Sequence, residues 1–466
     1  MPEPLYADLI FPNANPDQPS ISRLLSSLRR ANLSIHNRLA SIHHDAAFAT
    51  AASLAYARPL VANERCGSWY VEPRRKRGSA YFKSTDGHER AWKFSTRRLN
   101  LHLLPLIEAH DGVVVVDSTR RGKRMPDALS TTIPIWCAVV NRVLFPGGGD
   151  DERADRLFLP AYLPATTHAQ ILALLPGFVA SLRELKLEMP SCLTKPLRPF
   201  WVTQDSPLPE TEGEETGVPT TIFEDYRPVI CCTASRRVLG GSEMDEAGYI
   251  QGAGDDTENW AHGLTPPVFW AHVDELLATA EADLPERIEA LVQEDEAGKV
   301  GGESLVKDLS SYVSVCPLPL GEKVEGCCYI ALGEEVSPKE TWVESLLSMK
   351  VGVGKSKAAS RNLRLALPDI CSFASAYLEA SSSQGRRPRI VVVCQSGKDI
   401  SVGTALALSC FLLDDEGNIR TGTEEINFTK RLVKVRLGKI MTVYPEANPS
   451  RSTLQAVNSF LMDWRK

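Results

Sequence analysis

Apolar residues recur at three- and four-residue spacing along residues 21–60, which predicts one or two amphipathic helices at the start of the fold. The pattern then changes, and short stretches at 68–71 and 79–83 predict strands. Helical spacing returns over 95–109. The first hundred residues are therefore expected to mix helices and strands.

Two continuous apolar runs predict strands that are buried on both faces of a sheet. The first is Val113–Val116, and the second is the stretch that ends at Cys394. β-Branched runs of this kind are typical of sheets covered by helices. A further strand at 229–233 and a long amphipathic helix at 267–296 fit the same pattern. The fold class expected from these elements is α/β.

Length and composition are those of an ordinary globular protein. The chain has 466 residues, of which 43% are hydrophobic and 24% are charged. That size suggests one to three domains. No apolar run reaches the roughly 18 residues that span a bilayer, and the start lacks the pattern of a signal peptide. We therefore expect an intracellular protein with no membrane segment.

Glycine-rich and acidic stretches predict where the chain divides into domains and where it carries an insertion. Glycines at 298, 301 and 302 predict a linker, so we expect domains at 1–299 and 300–466. The acidic stretch at 204–219, QDSPLPETEGEETGVP, predicts a flexible insertion. The 11 cysteines contain no Cys-x-x-Cys pair, so they are predicted to be reduced and mostly buried.

Charge is distributed unevenly. The net charge is −6, but residues 65–124 carry 14 Lys and Arg against 6 Asp and Glu, whereas residues 205–256 carry 3 against 12. A basic segment with interleaved aromatic residues suits a surface that follows phosphates and stacks bases. A solvated loop region with aromatic residues in the core explains the same pattern. The aromatic residues of the segment are Trp69, Tyr70, Tyr81, Phe82, Trp92 and Phe94.

A basic loop follows the four valines. Asp117 ends the predicted strand, and Ser118–Arg124 follow it with four cations before the next helix begins near Asp127. Loops at the carboxyl ends of buried strands hold ligands in α/β proteins. Hydroxyl and guanidinium groups would bind phosphates there, and Asp117 would bind a metal or accept a proton. The alternative is an exposed basic turn in which Asp117 caps the helix.

A second candidate is the segment at 249–260, YIQGAGDDTENW. Gly252 and Gly254 permit close approach of the backbone, and Asp255 and Asp256 offer oxygen ligands for magnesium. Paired carboxylates after glycines also occur in plain turns.

Two apparent motifs are discounted. His36, His43 and His44 lie on a predicted helix, but no further ligand pattern surrounds them, and a polar helix face is the preferred interpretation. The sequence GVGKS at 352–356 lacks the first glycine of a nucleotide-binding loop, because that position is Met349.

The second buried strand leads into a loop that resembles the phosphate loop of cysteine phosphatases. Cys394, Gly397 and Ser401 match its spacing. Successive backbone N–H groups and a helix N-terminus cradle a phosphate in such loops. The catalytic arginine is replaced by Ile400 and the preceding histidine by Val393, so a phosphatase mechanism is not expected.

Six stretches in register closely resemble the initiator-tRNA 2′-O-ribosyl phosphate transferase family. The resemblance runs from about residue 20 to the C-terminus. It implies transfer of 5-phosphoribosyl from phosphoribosyl pyrophosphate to the 2′-hydroxyl of the purine at position 64 of initiator methionine tRNA. The stretches are residues 81–105, 113–145, 249–270, 354–368, 391–408 and 448–462.

The resemblance also implies an architecture and partners. The expected fold is an α+β N-terminal transferase and tRNA-binding domain followed by a dual-specificity-phosphatase-like α/β domain. The expected partners are initiator tRNA and phosphoribosyl pyrophosphate, with Mg²⁺ as cofactor, in the cytoplasm and without membrane or DNA. A cysteine-dependent phosphatase and a non-catalytic tRNA-binding protein remain as alternatives.

The candidate site residues fall into four groups. The catalytic candidates are Asp117, Arg121 and Lys123. The phosphate-binding candidates are Ser118, Thr119, Arg120, Arg124, Cys394, Gln395, Ser396, Gly397, Lys398, Asp399, Ile400 and Ser401. The metal candidates are Asp255 and Asp256. The tRNA-binding candidates are Arg74, Arg75, Lys76, Arg77, Lys83, Arg97, Arg98, Lys355, Lys357 and Arg361.

Overall fold

The computed structural model arranges the chain around two separate sheets, of five and six strands. It describes residues 33–85, 91–146, 152–209, 221–239, 244–245, 247–255, 257, 260–298, 306–320, 324, 326–382, 388–420 and 428–463. The α/β class expected from the sequence is confirmed. The predicted linker glycines at 301 and 302, and residues 210–219 of the acidic stretch, lie outside the described residues.

The elements are numbered in chain order. The strands are β1 (Leu60–Asn63), β2 (Lys76–Ala80), β3 (Val113–Asp117), β4 (Leu197–Val202), β5 (Arg227–Thr233), β6 (Lys307–Asp308), β7 (Val313–Pro317), β8 (Cys328–Gly333), β9 (Val343–Ser345), β10 (Ser348–Gly352) and β11 (Ile390–Cys394). The α-helices are α1 (Ile35–Tyr56), α2 (Leu103–Ala109), α3 (Ile133–Leu144), α4 (Ala165–Arg183), α5 (Pro266–Ala271), α6 (Val273–Ala278), α7 (Leu284–Gly298), α8 (Ser356–Ser382), α9 (Ile400–Leu412), α10 (Lys430–Val443) and α11 (Arg451–Asp463).

The first sheet has the order β2-β1-β3-β5-β4, and all of its described strand pairs are parallel. Helices cover both faces. Val114 and Val116 pack with α1, α5 and α7, whereas Val113 and Val115 pack with α2, α3 and α4. The four valines are fully buried because their side chains alternate between these two cores. This half, expected to be α+β, therefore has the layered arrangement of an α/β fold.

The second sheet has the order β6-β7-β11-β8-β10-β9. Its four inner strands are parallel, and β6 and β9 are antiparallel at the edges. Helices α8 to α11 pack on one face around a large apolar cluster that includes Val392 and Leu406. The smaller cluster on the other face includes Val391 and Val393. The central strand β11 is thus buried on both faces, as the sequence predicts.

The two halves touch one another. Gly438 of α10 lies against the side chains of Leu99, Leu185 and Leu187. Arg98 donates a hydrogen bond of 2.7 Å to the carbonyl of Ala447 and another to Asn448. These contacts bring the segment before α11 next to the segment before α2.

Four predicted elements differ from the structure. The strand predicted at 79–83 is β2, which begins and ends three residues earlier. Residues 67–69 form a single 3₁₀ turn instead of a strand at 68–71, because Gly67 packs tightly against β1 and β3 and the chain turns there. The helix predicted over 95–109 is confined to α2. The helix predicted over 267–296 is divided into α5, α6 and α7, and the extended backbone of Thr279 ends α6.

Among the described helices, only α4 is long and apolar enough to cross a membrane by length and composition. Ile171, Leu175, Val179 and Leu182 of α4 are buried in the core shared with α3. Length and composition do not distinguish a membrane span from such a packed helix.

Candidate functional site

Because the strands of the first sheet are parallel, their carboxyl ends all lie at the same end of the sheet. The chain leaves the carboxyl end of β1 toward β2 on one side, and it leaves the carboxyl end of β3 toward β4 on the other side. Such a switch point leaves a crevice outside the carboxyl ends, where α/β proteins bind ligands. Arg65 follows β1 at this point, and the Ser118–Arg124 loop follows β3. The candidate phosphate-binding loop therefore lies where the fold favours a ligand.

Asp117 is enclosed beneath this edge. It has no exposed surface, and its carboxylate accepts hydrogen bonds from Asn63 at 2.8 Å and from the backbone N–H of Ser118 at 2.8 Å. The Cys66 thiol donates to it at 2.9 Å, and Arg65 donates to both oxygens. Because it has no exposed surface and both of its oxygens accept internal hydrogen bonds, the Asp117 carboxylate holds its neighbours in place.

Arg65 joins the two buried carboxylates. Its guanidinium lies 2.9 Å from Asp117 and 3.2 Å from Asp255, and it also donates to the carbonyl of Ser118. Burial, and then the charge of Asp117, raise the pKa of the Cys66 thiol well above its usual value, so Cys66 is a neutral donor. Arg65 was absent from the sequence-based candidates, although its position directly after β1 was the available signal.

The described carboxylates do not form a metal site. Burial raises the pKa of Asp255, and the guanidinium of Arg65 occupies the position between Asp255 and Asp117 that a cation would take. No group of three His, Cys, Asp or Glu side chains suited to a metal occurs in the described part of the chain. Asp256 lies outside the described residues. Asp117 and Asp255 as placed here therefore do not fit Mg²⁺.

The segment at 249–255 holds the basic loop in shape. Gln251 accepts a hydrogen bond of 2.9 Å from the N–H of Gly122 and donates one of 2.8 Å to the carbonyl of Lys123. Gly252, at φ +68°, lies so close that a Cβ there would be 2.4 Å from the carbonyl oxygen of Thr119. The prediction that Gly252 permits a close backbone approach is confirmed.

The basic loop after β3 is joined by a cation that follows the neighbouring strand β5. Arg121 is exposed with φ 56°, Arg124 lies 5.7 Å from the ring centre of Tyr162, and Lys123 forms an ion pair of 2.6 Å with Asp127. Arg237, which follows β5, donates a hydrogen bond of 2.7 Å to the carbonyl of Gly122. Sequence reasoning missed Arg237 because the pairing of β3 with β5 is not visible in the chain order.

The two hydroxyl residues at the start of the loop are enclosed by the fold. Ser118 and Thr119 are buried, and the Thr119 N–H donates to the hydroxyl of Ser235 at 3.2 Å. Ser235 returns a hydrogen bond of 3.0 Å to the Thr119 carbonyl. Arg120, half-buried, follows them. The Thr119 backbone thus fixes the loop through Ser235, and the cations that follow remain the phosphate-binding candidates at the surface.

A second buried polar cluster lies next to the site. Asp45 of α1 is fully buried and accepts hydrogen bonds of 2.9 Å from Tyr249 and 2.8 Å from Gln204. Burial raises the pKa of Asp45 well above its usual value, with these hydrogen bonds opposing the shift. Arg236 lies 4.3 Å from the ring centre of Tyr249. The cluster anchors α1 to the segment that shapes the basic loop.

The phosphatase-like loop connects β11 to α9. Gly397 has φ 65°, and a Cβ there would lie 2.7 Å from the N atom of Pro317. The thiol of Cys394 donates to Ser401 at 3.1 Å. Gln395, Ser396 and Lys398 are exposed, and Ile400 begins α9. The shape expected from the sequence is present, and so is the aliphatic side chain where a phosphatase needs arginine.

Two comparisons of the sequence with protein families cover both halves. The family profile described as "Rit1 N-terminal domain" matches residues 28–293, and that described as "Rit1 DUSP-like domain" matches residues 348–461. The chain belongs to the Rit1 family. The resemblance stated from the sequence is thereby confirmed, and so is the phosphatase-like character of the C-terminal half.

Two relatives of this Rit1 family chain are similar to it over nearly its whole length. The tRNA A64-2′-O-ribosylphosphate transferase of Saccharomyces cerevisiae is 31% identical over 95% of this chain and 95% of its own. An uncharacterized protein of Schizosaccharomyces pombe is 37% identical over 91% of this chain and 94% of its own. No solved structure matches the chain.

Some of the tRNA-binding candidates of this Rit1 chain share one cleft. Lys83, Arg97 and Arg98 line a cleft of about 720 Å³ between the two halves of the molecule. Arg74 and Arg75 precede β2 and lie at the amino end of the first sheet, where they pair with Glu72. The fold therefore separates the basic segment into two regions.

The remaining candidates are dispersed. Lys76 pairs with Glu64 at 3.0 Å, and Lys355 pairs with Glu334 at 3.0 Å. Arg77 and Arg361 are exposed. The side chain of Lys357 lies outside the description. Neither Lys355 nor Arg361 lines the cleft that holds Lys83.

The aromatic residues of the basic segment belong largely to the core. Trp69, Tyr70 and Phe82 are buried, and Trp92 and Phe94 pack partly against the same core that holds α2 and α3. For the buried three, the structure supports the alternative of aromatic residues in the core, because the sheet and its helices enclose them. Tyr81 and Phe94 are the members of this set, besides Phe82, that line the cleft.

The histidine and cysteine predictions agree with the structure. His36 contacts the carbonyl of Leu277 at 3.1 Å, and His43 and His44 are exposed on α1. All 11 cysteines are free, and all except Cys192 are buried.

Proposed function

We propose that this chain transfers 5-phosphoribosyl from phosphoribosyl pyrophosphate to the 2′-hydroxyl of the purine at position 64 of initiator methionine tRNA. The observation that carries the proposal is its 31% identity, over 95% of both chains, to a protein named as a tRNA A64-2′-O-ribosylphosphate transferase. The basic loop at the switch point supports it, because a donor with several phosphates needs clustered cations. A cytoplasmic location follows from the substrate and is part of the proposal.

The reaction requires charge stabilisation more than covalent catalysis. The bond between the anomeric carbon and pyrophosphate breaks as the bond to the 2′-oxygen forms, and the hydroxyl proton leaves with solvent or a base. Positive charge develops on the sugar while negative charge develops on the leaving pyrophosphate. In the proposed arrangement, Arg120, Arg121 and Arg124 stabilise the leaving group. Arg65, Asp117 and Asp255 hold the base of that loop in place.

We infer that any Mg²⁺ arrives with the donor. Mg²⁺ is commonly bound through substrate phosphates and water with few protein ligands. This agrees with the pairing of Arg65 with both Asp117 and Asp255, which leaves no cation position between them. In this proposal magnesium belongs to the substrate complex, and the loop supplies cations.

The proposal is tested by incubating the full chain with initiator tRNA, phosphoribosyl pyrophosphate and Mg²⁺. Mass spectrometry of the tRNA should show one added phosphoribosyl group, and pyrophosphate should be released in equal amount. Elongator methionine tRNA serves as the matched control and should remain unmodified, while EDTA should stop the reaction. An unmodified initiator tRNA, under conditions where both substrates bind, would show that the proposal is wrong.

A further inference from the structure

The cleft between the two halves is lined by side chains from both. From the first half come Lys83, Lys93, Arg97 and Arg98. From the second half come Asn448 and Arg451, which flank the start of α11. The lining contains five cationic side chains and, among the described residues, no acidic one. The described lining is therefore positive, although the chain as a whole is acidic.

Four of these cations have no carboxylate partner among the residues that the structure describes. No ion pair to Lys83, Lys93, Arg97 or Arg451 occurs within the described residues, and all four side chains are exposed. Arg98 is used differently, because it donates to Ala447 and Asn448 and lies 4.4 Å from the ring centre of Tyr81. Arg98 thus connects the two walls, and the other four cations face solvent.

The phosphatase-like loop supports the second wall. The Asp399 carboxylate accepts hydrogen bonds from the N–H of Ser450 at 2.8 Å and the hydroxyl of Thr453 at 2.7 Å. The N–H of Asn448 donates to the carbonyl of Lys398 at 2.8 Å. These bonds hold the first turn of α11, where Arg451 lies. The loop, which lacks the arginine of a phosphatase, therefore positions a different arginine at the cleft.

We propose that this cleft binds the sugar-phosphate backbone of the tRNA substrate, with Lys93 and Arg97 on one wall and Arg451 on the other. The inference rests on the proposed function and adds the residues of the second half to the RNA-binding surface. The phosphatase-like half acts as a backbone-binding wall, and its loop serves as the support of that wall.

The distribution of charge favours a nucleic-acid strand over a small phosphate. Exposed cations come from both walls of the cleft, Lys83, Lys93 and Arg97 on one and Arg451 on the other, which suits several phosphates better than a single one. Half-buried Tyr81 and Phe94 offer apolar surface beside them. This combination of a basic groove with aromatic side chains is typical of surfaces that follow an RNA backbone.

The test measures binding of fluorescently labelled initiator tRNA to the full chain between 50 and 200 mM salt, without phosphoribosyl pyrophosphate. Lys93→Glu and Arg451→Glu should each weaken binding and reduce the slope of log affinity against log salt by about 1. The loss should therefore be about fourfold larger at 50 mM than at 200 mM salt. Lys439→Glu, an exposed lysine of α10 outside the cleft lining, is the matched control and should bind as the wild type does.

The outcomes separate this inference from the proposed function. Wild-type affinity and slope in both cleft variants would overturn the inference even if the transfer reaction is found. Loss of tRNA binding in those variants, with no transfer by the wild type, would support the cleft and contradict the transferase. A raised KM for phosphoribosyl pyrophosphate with unchanged tRNA binding would identify the cleft as a donor site, and the inference would be wrong.

A conservative variant distinguishes the loss of a charge from the loss of the fold. Arg451→Lys keeps the charge at the same place and should restore the salt slope to within experimental error of the wild type. Arg451→Lys could instead reduce the slope of log affinity against log salt as much as Arg451→Glu does, with an unchanged circular dichroism spectrum. That result would show that the charge of this side chain is not what binds the tRNA.

Discussion

At the scale of single residues, the buried charges beneath the basic loop act by positioning. Asp117 has no exposed surface, and Arg65 connects it to Asp255 and to the carbonyl of Ser118. Removing one partner of a buried ion pair leaves the other charge without compensation. The Asp117 carboxylate therefore matters for the shape of the site and for stability together.

Asp117→Asn should lower the free energy of unfolding by about 1.5 to 3 kcal/mol, because the guanidinium of Arg65 loses one of its two buried carboxylate partners and keeps Asp255. Urea unfolding measures this change. The control is Glu64→Gln, which removes a partly exposed carboxylate paired with Lys76 at the same edge and should cost at most about 1 kcal/mol. Equal effects of the two substitutions would show that the enclosure of Asp117 has no energetic consequence.

The pKa of Asp45 links stability to pH. Burial raises this pKa in the folded state, so the folded chain retains a proton that the unfolded chain releases above about pH 4. The contribution of Asp45 to stability is therefore complete below that pH and falls as the pH rises toward the raised folded value.

Asp45→Asn removes this titration and can keep the hydrogen-bonded contact with Tyr249. The variant should therefore gain stability relative to the wild type as the pH rises from 4 to 8, by about 1.4 kcal/mol for each pH unit between the two pKa values. Urea midpoints across this range provide the measurement. A stability difference that is the same at both ends of the range would contradict the assigned direction.

At the scale of elements, the basic loop depends on the close approach of a neighbouring segment. Gly252→Ala should displace the loop, because its Cβ would lie 2.4 Å from the carbonyl of Thr119 and its φ is +68°. We expect transfer activity to fall at least about tenfold, equivalent to about 1.4 kcal/mol of barrier. Steady-state kinetics measure it.

Gly263→Ala is the matched control for that substitution. Gly263 also has a positive φ, +84°, but the nearest atoms to its Cβ position are 3.7 Å away. It should lose about 1 to 2 kcal/mol of stability from backbone strain and keep its activity. Equal activities of the two variants would indicate that the contact with Thr119 does not shape the site.

The phosphatase-like loop should serve through its backbone. Cys394→Ser removes the thiol but retains a hydroxyl group that can contact Ser401. The transfer rate should therefore remain within about threefold of the wild type, a difference of less than about 1.4 kcal/mol. Gly397→Ala, in contrast, places a Cβ 2.7 Å from Pro317 and should destabilise the second half. Hydrolysis of p-nitrophenyl phosphate that disappears in Cys394→Ser would mean that the loop is catalytic after all.

At the scale of the whole molecule, the contact between the halves creates the cleft. Arg98 donates across it to Ala447 and Asn448, and Gly438 admits three leucines of the first half. The two sheets are thus joined by hydrogen bonds and apolar packing, and the cations of the cleft come from both sides.

Arg98→Ala should weaken the association of the halves by about 1.5 to 3 kcal/mol, the range for a hydrogen bond to a charged group. Thermal unfolding and limited proteolysis detect the change. Arg364→Ala, which removes an exposed ion pair with Asp463 within the second half, is the control and should cost less than about 1 kcal/mol. Indistinguishable variants would argue against Arg98 as a connection between halves.

Local patterns were sufficient for several features. The buried valine strand, its basic loop, the strand before Cys394 and the apolar helix α9 were predicted from the sequence because burial on both faces requires continuous apolar residues. Gly252 was identified for the same kind of reason, since only a residue without a Cβ permits that approach. The family was recognisable because six motifs kept their order.

Only the tertiary structure decided which residues meet. Arg65 and Arg237 reach the basic loop because β1 and β5 flank β3 in the sheet, and strand order is not written in local periodicity. The same long-range packing enclosed Trp69 and Tyr70 and paired Asp117 with a guanidinium. It also placed Arg451 in the same cleft as Lys93, which is more than 350 residues away in the chain. Sequence spacing determines which faces are apolar, whereas the packing of those faces determines which charges become neighbours.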